Sequence, residues 1–174
     1  TYNSGVYSDE DKSIIEERCF REFNRLMTAT SARGCCINDG PIAMAAGALT
    51  GLMVGDHDTI AWAIEPPEGY IGFLEDYFLR DGHWYEASPS YEGMAMSQMH
   101  VTPEVLQGYS DLPSYEEDDR YDDLDLFTHP LMEKIMLASA DAQMPDGNLP
   151  PTNDSTFGDG YPAQRTEINY NWYP

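Results

Sequence analysis

Between Ile42 and Val54 nearly every residue is small or apolar, and Gly47 and Gly51 interrupt the run. That composition predicts a buried helix packed closely against its neighbours, because glycine carries no side chain to hold another element off. The preceding Arg33-Gly34-Cys35-Cys36-Ile37-Asn38-Asp39-Gly40-Pro41 is a turn-rich connector, with Pro41 suited to a first helical turn. Gly55-Asp56 should end the helix.

Helical spacing recurs elsewhere. Ser8, followed by Asp9, Glu10 and Asp11, has the cap and early acids of a helix start. Ile15, Cys19, Phe23, Leu26 and Met27 then fall on one predicted apolar face, with Cys19 as a core residue. Residues 59–64 predict a short helix ended by Glu65-Pro66-Pro67-Glu68-Gly69, and residues 70–79 an amphipathic one. A Met-rich helix is expected over about 90–99, and another from Pro130 through Leu131, Ile135, Leu137 and Ala138. Residues 101–128 are acidic and poorly periodic, and read as a surface excursion. Residues 144–162 are rich in glycine and proline and show no period. No stretch alternates as a strand does, so the expected fold is all-α, either a layered array such as a ring of helical hairpins or a plain bundle.

Nine basic residues face 31 acidic ones, a formal net charge of −22. Such a surface repels nucleic acid and anionic membranes. The 41% apolar content argues against wholesale disorder, and excess acid with only two lysines, Lys12 and Lys134, suits a protein kept soluble in high salt, with simple sequence drift as the alternative. Cys19, Cys35 and Cys36 are too few and too unevenly spaced for a disulfide framework or a zinc site. The acids among residues 118–125 lack the glycine and terminal glutamate of a calcium loop, so no metal or other cofactor is expected. No apolar stretch is long enough for membrane insertion. The chain begins without methionine and ends Asn169-Tyr170-Asn171-Trp172-Tyr173-Pro174, an aromatic run costly to leave bare. That favours one fragment, residues 1–174, of a domain whose remainder lies in a longer polypeptide.

One loop concentrates chemistry: Asp81-Gly82-His83-Trp84-Tyr85-Glu86-Ala87-Ser88-Pro89-Ser90-Tyr91-Glu92-Gly93 sets ionisable groups and aromatic rings beside a turn, directly before a helix. Together with Asn38 and its small-residue helix, and with Met144-Pro145-Asp146-Gly147-Asn148-Leu149-Pro150-Pro151-Thr152-Asn153-Asp154-Ser155, it resembles the heparinase II/III-like and alginate-lyase-like polysaccharide lyases. The resemblance implies part of an incomplete (α/α) toroid, with further toroid helices and a β-sheet domain outside this chain. It also implies a secreted, periplasmic or cell-surface setting and a uronic-acid-containing polysaccharide as substrate. It places the carboxylate-neutralising asparagine on Asn38 and the proton-transferring tyrosine on Tyr91. Where the family continues with aromatic or histidine residues this chain has Asp39 and Glu92, both adding negative charge to a site for a negative sugar.

A uronate lyase removes the proton at C5 and expels the oxygen at C4, so charge must be neutralised where the enediolate develops. Asn38, aided by a histidine such as His83, can donate hydrogen bonds there. Tyr91 can act as base if a cation lowers its pKa of about 10, or as acid with no shift. Trp84 suits a sugar platform, and Tyr85 and Glu86 the cleft lining, while Asp146 and Asp154 suit turns that hold backbone near it. The residues also allow other readings: Asn38 as a cap or turn, Tyr91 as a half-buried tyrosine, Trp84 as toroid core, His57 as surface. Two further functions stay open, a toroid glycosidase using Glu86 with Glu92 or Asp81, and a non-catalytic carbohydrate-binding or structural fragment.

Overall fold

A computed structural model describes residues 5–31, 40–67, 69–115, 118, 120–156 and 170–173. Among them the fold is all-α, without a β-sheet. Eight α-helices run in order: α1 (Asp9–Ile15), α2 (Glu22–Ser31), α3 (Gly40–Val54), α4 (His57–Ile64), α5 (Tyr70–Tyr77), α6 (Pro89–Met99), α7 (Val101–Leu106) and α8 (Met132–Asp141). A π-helical turn, Glu16–Arg21, joins α1 to α2, and a 3₁₀ turn, Leu126–Thr128, precedes α8. Ser8 and Asp11 close a reciprocal capping box at the start of α1, as the run of early acids predicts.

Helix α3 is the centre, touching α2, α4, α5, α6, α7 and the π-turn. It is one-sided rather than buried all round. Met44, Ala45, Gly47, Ala48 and Gly51 face inward, while Ile42, Leu49, Leu52 and Met53 remain 41–49% exposed. The reason is distance. A Cβ on Gly51 would lie 2.8 Å from Ile60 Cγ1, and one on Gly47 2.7 Å from the Trp62 ring, so α4 rests on nearly bare backbone. The core continues through Phe73, Phe78, Trp84, Met96 and Met132. At its far side Trp172 stacks on Phe127, ring centres 3.9 Å apart, and the Tyr173 hydroxyl donates to the Phe127 carbonyl at 2.8 Å. Trp172 and Tyr173 thus pack on the chain's own core, while Tyr170 stays 75% exposed.

The stripe expected on α1 and α2 is displaced. Cys19 is exposed, as are Phe23 and Leu26, and Asn24 is buried in their place. A π-turn holds more residues than an α-turn, so positions beyond it are rotated away from the α-helical phase. Asn24 accepts from the Thr50 hydroxyl of α3 and donates to Asp56, the N-cap of α4, at 3.5 Å. A polar side chain therefore ties the first helix to the central hairpin.

Residues 101–128 also depart from a loose excursion. Thr102, Pro103 and Leu106 bury α7 against α3, a helix of six residues, too short for a period to show. The Asp111 side chain is wholly buried there. Its carboxylate accepts from the Tyr109 hydroxyl at 2.6 Å, the Tyr121 N–H at 2.7 Å and His57 Nδ1 at 2.9 Å. His57 itself lies against Tyr115 and Tyr121, so it belongs to the interior rather than the surface. Burial pushes the Asp111 carboxyl up, but the bonds from Tyr109, Tyr121 and His57 outweigh it and hold the group below its ordinary 3.8.

Two stability measurements follow from this packing. Gly51→Val should lower the unfolding free energy in urea by about 1–3 kcal/mol, since α4 cannot back away without opening the core. Asp111→Ala should cost about 3–5 kcal/mol by leaving three donors facing an empty acceptor. A carboxyl depressed by folding contributes fully above the unfolded value of about pH 4, and loses that contribution as pH falls through the folded value. The acid limb of a stability profile should therefore be shallower in Asp111→Asn than in the unaltered chain.

Candidate functional site

After α5 the chain turns back on itself rather than continuing as helix. Phe78 and Trp84 form an antiparallel bridge, the Leu79 N–H meets the His83 carbonyl at 2.8 Å, and the Tyr85 N–H meets the Tyr77 carbonyl at 3.0 Å. Gly82 sits at the tip with φ +91, and a Cβ there would come within 2.3 Å of the Lys134 carbonyl on α8. Only glycine fits both the backbone angle and the gap. Asp81 closes the turn by accepting from the His83 N–H at 3.2 Å.

The predicted site residues divide by position. Trp84 is fully buried, stacked on Phe73 with ring centres 5.8 Å apart, and its indole N–H donates to Glu86 at 2.9 Å. It is core and offers no face to a sugar. Glu86 is thereby occupied, and also accepts from the exposed Tyr85 hydroxyl at 3.2 Å. Glu92 points inward from the first turn of α6 and is 4% exposed. Its carboxylate accepts from the Ser139 hydroxyl of α8, from His83 Nδ1 at 3.1 Å and from the Trp84 N–H at 3.3 Å. His83 and Tyr91 keep part of their side chains at the surface. Asn38 and Asp39 lie outside the described residues.

The segment after α8 is laid directly along this loop. Asp146 makes its local turn, accepting from the Asn148 N–H at 3.1 Å, and the bonds from Asn148 hold its carboxyl below the usual range. Further on, Thr152 Oγ1 and Asn153 Nδ2 donate to the Ala87 carbonyl, at 2.8 and 3.3 Å. Asn153 also donates to the Glu86 carbonyl at 2.6 Å. Ser88 Oγ donates to the Asp154 carbonyl at 3.1 Å, and the Ser90 N–H to Ser155 Oγ at 3.0 Å. Ala87 has φ 51, a left-handed conformation that costs a residue with a Cβ on the order of 1 kcal/mol. The flanking bonds hold that turn and so aim Ser88, Pro89 and α6.

Two partners were not anticipated. The Asp154 side chain bears on Tyr91, in addition to the backbone role expected of that residue: hydrogen bonding and charge from its carboxylate raise the phenol above its ordinary value of 10.0. Ser139 braces Glu92, and its signal was present: it is the polar member of the face Met132, Ile135, Met136, Ser139, where a buried hydroxyl requires a partner. Among the described residues no group of three or more His, Cys, Asp or Glu side chains converges to hold a metal ion, and no helix is long and apolar enough to cross a membrane.

Chemically, a phenol that keeps its proton beside a carboxylate is a donor, not a base. Replacing the partner tests that assignment: Asp154→Asn should bring the ultraviolet phenolate titration of Tyr91 down toward about 10, with Tyr91→Phe identifying the band. An unchanged titration would mean that Asp154 does not govern it. Compared with known protein families, with curated proteins and with solved structures, the chain gives no significant match.

Proposed function

We propose that the chain is part of a polysaccharide lyase that cleaves a uronic-acid-containing polysaccharide by β-elimination, its helices forming a segment of an incomplete (α/α) toroid. The reading rests on one observation. Two of the three segments that carry the resemblance, about the 81–93 loop and the 144–155 turn, lie side by side through bonds spanning 65 to 67 positions, and Tyr91 stands at their junction. Tyr91 is the acid that protonates the C4 oxygen as it leaves, the role its raised phenol suits. Asn38 supplies the amide that meets the carboxylate as charge develops on it. The glycosidase alternative asks more of the same side chains, since Glu92 is enclosed and Glu86 is engaged with Trp84.

The test is digestion of alginate, heparan sulfate and other uronate polymers at low and high salt, following ultraviolet absorbance of the unsaturated uronate. Tyr91→Phe should slow its appearance by roughly 10²-fold or more, and Asn38→Ala should also slow it. New reducing ends without the double bond would mean hydrolysis and overturn the proposal. So would rates unaffected by both substitutions.

A further inference from the structure

Among the described residues the same polar arrangement occurs twice. At Asp111 and at Glu92 a buried carboxylate receives one histidine Nδ1, one main-chain N–H and one hydroxyl. The two differ in how much of the histidine side chain is covered. His57 is enclosed by Tyr115 and Tyr121 and keeps 11% of its side chain exposed, whereas His83 keeps 33% and belongs to the same 81–93 segment as Tyr91. The first arrangement is closed and holds the fold together. The second is open.

We infer that Glu92 is a positioning residue that fixes His83 with Nδ1–H toward the interior, so that Nε2 faces outward as the base that removes the C5 proton in the lyase reaction proposed above. A carboxylate only accepts, so its bond to Nδ1 selects the tautomer protonated there and leaves a lone pair on Nε2. Glu92 cannot swing away, because donors from α8 and from the Trp84 main chain hold its two oxygens. The buried carboxylate also stabilises the imidazolium that forms when Nε2 takes a proton. Tyr91 complements this role, its phenol being held in the protonated form by Asp154.

The step balances. The C5–H bond breaks, its proton goes to Nε2, and its electron pair becomes the C4=C5 double bond. The C4–O bond breaks with its pair on oxygen, which takes the Tyr91 proton. Proton exchange with water then restores imidazole and phenol. The resulting departure from the usual family pattern at position 92 is no longer a negative charge offered to the sugar, because that charge is turned inward onto His83.

The proposal rests on the lyase reading, and the experiment separates the two. Long-range ¹H–¹⁵N NMR of the unaltered chain should show neutral His83 protonated at Nδ1, and Glu92→Gln should shift it toward a tautomer mixture; protonation at Nε2 in the unaltered chain overturns the inference. On the uronate polymer that the chain cleaves, His83→Asn should lower kcat by about 10²- to 10⁴-fold with little change in KM, and Glu92→Gln should give a smaller loss of the same kind. If Tyr91→Phe abolishes elimination while His83→Asn retains the full rate, the base is misassigned and the lyase reading stands. If the full-length protein that carries the unaltered chain yields no unsaturated product from any uronate polymer, the lyase reading falls and takes the base with it.

Discussion

The bare inner side of α3 is the constraint on which the remaining structure depends. With Gly47 beneath Trp62 and Gly51 beneath Ile60, α4 approaches to a distance that any larger residue would forbid. That approach sets the Asp56 turn close enough for Asn24 to reach it from the first helix, and sets His57 where Asp111 can receive it. The large apolar side chains of α3 are displaced outward by the same geometry. A core can be built from small residues when closeness of backbones, rather than volume of side chains, supplies the contacts.

Loops without a hydrophobic period need another source of order, and two interior carboxylates provide it. Each collects donors from separate segments, which makes a distinctive geometry out of groups that would otherwise stay hydrated. Burying a carboxylate is costly, and the offset comes only when several donors are correctly placed. A misplaced loop therefore forfeits all of them together. In this way a chain with many surface acids can still use two of its acids to organise the interior. The surface ones repel one another in solvent, while Asp111 and Glu92 are defined by what surrounds them.

Much of this was legible in the residues. Helix type and order, the stop at Gly55-Asp56, the cap at Ser8 and the turn at Asp146 all follow from local chemistry that acts over a few positions. What escaped was nonlocal or out of phase. Nothing near Glu16 announces a π-turn, so the face of α2 is rotated from its expected setting, and Cys19 is exposed where core was expected. Asp111 looks like one more surface acid until its partners at 57, 109 and 121 are brought together. Trp84 had two acceptable readings, and only burial decides between them. Within the site, His83, Tyr91 and the loop itself could be nominated from sequence, whereas the inward turn of Glu92 and the influence of Asp154 on Tyr91 depend on how α6 and the segment after α8 meet.

The bonds across Ala87 have a consequence for motion. Native proteins open in cooperative units, and a unit is defined by contacts that must break together. Thr152, Asn153, Asp154 and Ser155 all grip the short stretch from Glu86 to Ser90, where Ala87 is kept in a conformation that a free chain would abandon. Two segments remote in sequence therefore form a single opening unit. Release of either lets Ala87 relax and frees Tyr91 from Asp154, so the local free energy of opening, rather than the global stability of the helices, sets how often this loop departs from its working shape.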